Sequence, residues 1–268
     1  MDVRFPAVTG LFYPDSAQEI QDFIKGCYSQ ITVRDESKDK APRALIVPHA
    51  GYVYSGCSAL QGYQYWQNTD TEIKTVVVIG PAHRVAFNGV ATVSVDALQT
   101  PLGLVEVDCP LRDELIDRGL IGFSDEANAP EHSLEVQFPF IQSIVPGAKI
   151  VPLLSGRVDS AKLSQIMEYL WSKKGVYFVI SSDLSHFHTY EEAQRIDQQT
   201  ADFINNVKWQ SLNGERACGY IGIQALLRLQ SKLGLNIEQL NLINSGDTAG
   251  DKQRVVGYGA WAIYDGLA

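Results

Sequence analysis

The chain of 268 residues has no apolar run approaching the roughly 18 residues that a membrane span needs. It also lacks any run of Lys or Arg, and 31 acidic against 22 basic residues leave a formal charge of −9. No nucleic-acid partner is expected, because displacing counterions from a phosphate backbone requires clustered cations. Cysteine is scarce, and Cys27, Cys57, Cys109 and Cys218 are scattered with no CxxC pair. This pattern reads as reduced thiols in a cytoplasmic protein rather than as a disulfide framework. Met1–Pro6 shows no basic stretch leading into an apolar one, so no secretory signal is expected. G-x-S-x-G, G-x-x-x-x-G-K-[ST] and H-E-x-x-H are all missing, which sets aside the commonest hydrolase, nucleotide and metalloprotease signatures. Gly257-Tyr258-Gly259 lacks the third glycine of a dinucleotide loop and falls inside a strand pattern. Ser181-Ser182-Asp183 with His186 supplies hydrolase residue types, but that spacing alone makes no triad.

What is present points to a packed α/β chain. Hydrophobic residues make up 45%, and the length suits one large domain, read here as residues 1–268. The stretch Arg34–Lys40 carries mixed charge without an apolar residue and reads as an exposed loop. Ser16-Ala17-Gln18-Glu19 has capping-box spacing, with Ile20, Phe23, Ile24 and Cys27 following at helical intervals. Short β-branched runs occupy Ala44–Val47, Thr75–Ile79, Val90–Val95, Ile150–Leu154, Val176–Ser181, Leu240–Ile243 and Val255–Tyr264. Helical patterns lie near 57–66, 110–118, 133–144, 160–171, 190–206 and 216–231, and Leu98–Val107 reads as a hairpin. The alternation predicts a mixed, mostly parallel central sheet with helices on both faces. Val76–Val95 has no helix between its runs, which is what makes the sheet mixed.

The histidines fall at informative places. Ala44–Val47 runs through Pro48 into His49, Thr75–Ile79 runs through Gly80-Pro81-Ala82 into His83, and Val176–Ser181 leads through Asp183 to His186. Ligands of open α/β sheets bind at the carboxyl ends of strands, where helices leave a crevice. Each histidine alone reads better as a polar loop residue bonded to a neighbouring carbonyl, but three at equivalent positions shift the weight to one shared site. Converging imidazoles suit a transition metal, or acid–base work by one or two of them. His186 is expected to face the site, with His188 pointing away and Asp183 placed to orient His186. His132 stands at the start of a helical pattern and fits either a cap or the site. Cys218 fits either a buried small hydrophobe or, at a helix N-terminus, a thiol of lowered pKa.

Six segments in order also carry a resemblance. They are Arg4–Pro14, Pro48–Gly56, Gly80–His83, Glu131–Phe140, Ser181–His186 and Cys218-Gly219, and they resemble the MEMO family, whose bacterial members are called AmmeMemoRadiSam system protein B. The resemblance implies a fold like that of the class III extradiol ring-cleaving dioxygenases. It implies a metal site on His49, His83 and Cys218, with His186, His132 and Asp183 lining the same pocket as catalytic residues. A thiolate in place of a carboxylate favours Fe(II), Cu or Zn over Mg or Ca. After Cys218-Gly219 the chain reads Tyr220-Ile221, where relatives commonly have a Pro-Ile pair. The implied activity is that of a metal-dependent redox protein or non-haem iron or copper oxidoreductase. Its substrate would be a small molecule or a modified side chain, and its partners a radical SAM enzyme and an AMMECR-type protein. A non-catalytic peptide- or protein-binding adaptor is the alternative, and extradiol ring cleavage rests on fold analogy alone.

Overall fold

The computed structural model describes residues 1–31, 41–67 and 69–266, so the charged stretch Arg34–Lys40 lies outside the described residues. In chain order the elements are β1 (Val3–Arg4), α1 (Ala17–Cys27), β2 (Ala44–Val47), α2 (Cys57–Tyr63), β3 (Thr75–Pro81), β4 (Val90–Thr92), β5 (Ala97–Thr100) and β6 (Gly103–Glu106). They continue with α3 (Cys109–Asp117), β7 (Gly122–Phe123), α4 (Asp125–Asn128), α5 (Phe138–Ile144), β8 (Lys149–Ser155), α6 (Ser160–Trp171) and β9 (Val176–Ser181). The last are β10 (His186–His188), α7 (Tyr190–Asn205), α8 (Tyr220–Leu233), β11 (Asn236–Asn244) and β12 (Val255–Tyr264).

The main sheet has nine strands in the order β10-β12-β2-β9-β3-β8-β4-β7, with β11 paired to β12. Its centre, β2-β9-β3-β8, is parallel, and β12 and β4 close onto it antiparallel. The expected mixed sheet is therefore observed, with parallel pairing concentrated at the centre. Strands β2, β3 and β9 are buried along their whole length, which is why their sequences are predominantly apolar rather than alternating. One face packs against α1, α2 and α5 through Ile20, Ile24, Leu60, Tyr63, Phe140 and Ile144. The other packs against α3, α6, α7 and α8 through Leu115, Leu163, Ile166, Leu170, Ile204 and Leu226. Residues β1, β5 and β6 form a separate three-stranded sheet that contains the expected hairpin.

Local chemistry sets several boundaries. Ser16 caps α1 by accepting the Glu19 N–H, and Asp159 caps α6 by accepting that of Ala161. The helical pattern at 133–144 divides into a 3₁₀ turn, Glu135–Gln137, and α5, whose first turn contains Pro139. The pattern at 216–231 begins as a helix only at Tyr220, because Cys218-Gly219 is pinned to the end of β9.

One expectation is overturned. Cys27 and Cys57 form a disulfide, so only Cys109 and Cys218 are free thiols. The two lie 30 residues apart in sequence, with no local spacing to reveal them. Packing of Phe23 against Gly56 brings the end of α1 onto the start of α2, leaving their Cα atoms 5.1 Å apart.

Candidate metal centre

Because β2, β9 and β3 are adjacent and parallel, their carboxyl ends lie side by side. His49 follows β2 by two residues, His83 follows β3 by two, and Asp183 follows β9 by two. The loop before α5 adds His132. One ring nitrogen from each of His49, His83 and His132 lies within 4.8 Å of the others, an arrangement that could hold a metal ion. The His83 and His132 rings stack at 4.8 Å, and the His49 ring stands edge-on to both. Cys218 sits beside this group, its Sγ 3.3 Å from His49 Nε2.

The His49 and His83 rings are hydrogen-bonded from behind, and His132 Nδ1 only approaches a carboxylate. His49 Nδ1 is 2.9 Å from Ser181 Oγ, a hydroxyl that also meets Gln137 Nε2 and the Ser133 carbonyl. His83 Nδ1 lies 2.9 Å from a Glu131 oxygen, and His132 Nδ1 lies 3.3 Å from the same atom. Glu131 is almost fully buried and accepts the N–H groups of His83, His132 and Ser133. Burial alone would raise its pKa, but the His83 ring and these N–H groups hold the carboxyl down at about 2. Partners of this kind fix which ring nitrogen faces a metal.

Burial, reinforced by neighbouring imidazoles, lowers the pKa of His49 to about 3 and that of His132 to about 4. Both rings are therefore neutral and ready to donate a lone pair at physiological pH. The Cys218 thiol behaves in the opposite way to the lowered pKa expected at a helix N-terminus. Burial and the Asp183 carboxylate push it up to about 12. The helix itself starts two residues later, and Gly219 occupies the intervening position for a steric reason. A Cβ there would meet the Ser181 carbonyl at 2.6 Å, so only glycine lets the thiol turn press onto the end of β9.

Asp183 takes a part beyond the one its spacing suggests. One carboxylate oxygen accepts the N–H groups of His49 and Ala50 at 2.8 and 3.3 Å, tying the His49 loop to the end of β9. Burial raises its pKa, against the favourable influence of those N–H groups and of His186. His186 opens β10 and acts electrostatically on both His49 and Asp183. Its neighbour Phe187 has φ of 63° and is 62% exposed, and His188 turns to Glu192 at 3.3 Å.

Of the six residues named from the sequence, His49, His83 and His132 bring ligand atoms within 4.8 Å of one another, Cys218 touches His49 alone of these, and Asp183 holds the His49 loop. Glu131, Ser181 and Gln137, which hold the rings, were not anticipated as supports. Their only sequence signal is Glu131 directly before His132. The Gly-x-Gly of β12 also finds its reason in packing. A Cβ at Gly257 would come within 1.9 Å of the buried Asp197 carboxylate, and one at Gly259 within 2.3 Å of the Trp261 ring.

Comparison with known proteins agrees with the segments that carried the resemblance. A family model described as "Memo-like protein" matches residues 4–262. A "MEMO1 family protein" of Methanosarcina mazei is 35% identical, the alignment covering 97% of this chain and 98% of that one. Another from Aquifex aeolicus is 32% identical over 96% and 98% of the respective chains. Among solved structures, the uncharacterized protein JW3007 of Escherichia coli K12 is similar in fold. Its TM-score is 0.50 at 13% identity, covering 83% of this chain and 99% of that one. No described helix is long and apolar enough to cross a membrane.

Proposed function

Since the chain belongs to the Memo-like protein family, we propose that it is a metal-dependent redox protein whose ion sits at the strand ends on His49, His83 and Cys218. The observation that carries the reading is the convergence of three imidazoles, those of His49, His83 and His132, beside a thiol. Nitrogen and sulfur donors with few hard oxygens fit Fe(II), Cu or Zn, with iron or copper supplying redox chemistry when bound. His132 lies close enough to take a fourth position or to replace the thiol. Thiolate ligation requires the Cys218 proton to leave, and the Asp183 carboxylate stands within electrostatic reach of it. His186 would hold or move a proton on a substrate entering at this face, and Asp183 would keep the His49 loop and the His186 segment in register.

The whole chain, 1–268, is taken as one such domain acting in the cytoplasm. Its substrate is taken as a small molecule or a modified side chain, with a radical SAM enzyme and an AMMECR-type protein as partners. A binding module is the second reading. It draws on the exposure of Leu11, Val53 and Phe187 in segments adjoining Phe12, the His49 loop and His186. Anaerobic purification followed by metal analysis of wild type, His49→Ala, His83→Ala and Cys218→Ser tests the main reading. Wild type should retain close to one ion and the variants much less. Equal, negligible metal in all four would sink it.

A further inference from the structure

The N-terminal segment meets the histidine cluster through Phe12, which rests on His132, and is fastened on either side of that contact. At its front, Glu135 accepts the N–H groups of Ala7 and Val8 and the Tyr13 hydroxyl, and pairs with Arg4 at 2.8 Å. In the middle, the Phe12 ring rests 4.6 Å from the His132 ring, and the Phe12 carbonyl accepts the Tyr52 N–H at 2.7 Å. At the rear, α1 buries Ile20 and Ile24 and packs Phe23 5.1 Å from the Tyr52 ring. The rear fastening is covalent. Cys27 ends α1, and Cys57 begins α2 directly after the π-helical turn Tyr52–Gly56, which continues the His49 loop.

The two sulfurs differ in accessibility. Cys27 is buried at 1% exposure, whereas Cys57 is partly exposed with Sγ at the surface beside the Gln30 side-chain carbonyl. An incoming thiolate therefore meets Cys57. Disulfides that are accessible on one side are the ones open to exchange.

We propose that Cys27–Cys57 is a reducible disulfide, taking a dithiol as its reductant, whose reduction frees α1 and uncovers the histidine cluster. The proposal rests on the metal reading only for what the cover protects. In the exchange, a thiolate of the dithiol attacks Cys57 Sγ, forming a mixed disulfide and expelling Cys27 as a thiolate that takes up a proton. The second thiol of the reductant, after losing its proton, attacks its own partner sulfur and expels Cys57 as a thiolate. Two electrons pass from the dithiol, which becomes a disulfide, to the protein, which becomes a dithiol. The Arg4, Ala7 and Val8 contacts with Glu135 stay in place while the Tyr13 hydroxyl leaves it, so the segment swings from Val8 rather than detaching. A disulfide in a protein of a reducing compartment then becomes a control element rather than a contradiction.

The test is made on the full chain, oxidised, or reduced with dithiothreitol and freed of it by anaerobic gel filtration. Two readouts are taken: the rate at which EDTA extracts Zn(II), and hydrogen–deuterium exchange of residues 9–15, beyond the retained anchor. Reduction should speed both by at least about tenfold, as release of a local opening unit does. Cys27→Ala/Cys57→Ser should match the reduced protein under either treatment. Phe12→Ala, with the disulfide intact, should speed Zn(II) extraction while leaving α1 protected. Unchanged exchange of residues 9–15 on reduction overturns the clamp, and Phe12→Ala as slow as wild type overturns the cover. If no Zn(II) is retained in either redox state, the metal reading fails, while the exchange measurement still decides the clamp.

Discussion

Loading the site with Zn(II) at pH 7 should release about one proton per ion, and the proton comes from Cys218. Its thiol, pushed up to about 12 by burial and Asp183, is protonated in the metal-free protein. Removing that proton at pH 7 costs about 7 kcal/mol, five units at about 1.4 kcal/mol each. Thiolate-containing zinc sites bind with ~10–16 kcal/mol, so ligation can drive the ionisation. His49 and His132, with pKa values of about 3 and 4, have no ring proton to release at this pH. The proton count therefore separates ligation by the thiol from ligation by these imidazoles. Calorimetry in two buffers of different ionisation heat measures it. With the thiol as ligand, affinity should rise about tenfold per pH unit between pH 6 and 8. Cys218→Ser should remove both the release and the slope. A wild type that binds Zn(II) with no proton release, and a Cys218→Ser variant of equal affinity, would refute the argument and place the ion on the three histidines.

Other outcomes follow from the same geometry. Glu131→Gln leaves His83 and His132 without their shared carboxylate and should weaken Zn(II) binding about 10–100-fold, read by competition with a chelator of known affinity. Burial raises the pKa of Asp197 to about 6, above its unfolded value, so ionising it destabilises the fold as pH rises from about 4 through 6. Asp197→Asn should thus gain up to about 3 kcal/mol relative to wild type at pH 7.5 and little at pH 4, measured by urea denaturation. Reducing Cys27–Cys57, whose partners are 30 residues apart, should lower stability by about 3–4 kcal/mol from loop closure, visible as a fall in Tm.

Much of this arrangement could be read along the chain because the relevant signals are local. Ala44–Val47, Thr75–Ile79 and Val176–Ser181 are uninterrupted apolar runs, and such runs belong to buried parallel strands. A histidine or aspartate just past each run therefore had a predictable place once the sheet was inferred. What escaped depends on contacts between distant segments. Glu131 acquires its part from His83, 48 residues away. The disulfide depends on Phe23 meeting Gly56, and β10 depends on pairing with β12 through an irregular register. Asp183 is expected to serve the histidine three residues on, and it does interact electrostatically with His186, but the parallel register of β2 and β9 also sets its carboxylate against the His49 loop, which no local spacing reveals. Of the two readings of Cys218, the buried one describes its thiol, because the helix begins only at Tyr220 and burial raises the pKa.

The central claim, an ion held at the strand ends, is tested most directly by anomalous diffraction from crystals grown anaerobically with Fe(II) or Zn(II). The account predicts one strong peak bounded by His49, His83 and Cys218, with ligand distances of about 2.0–2.3 Å. A peak elsewhere, or none at a metal concentration well above that of the protein, would contradict it.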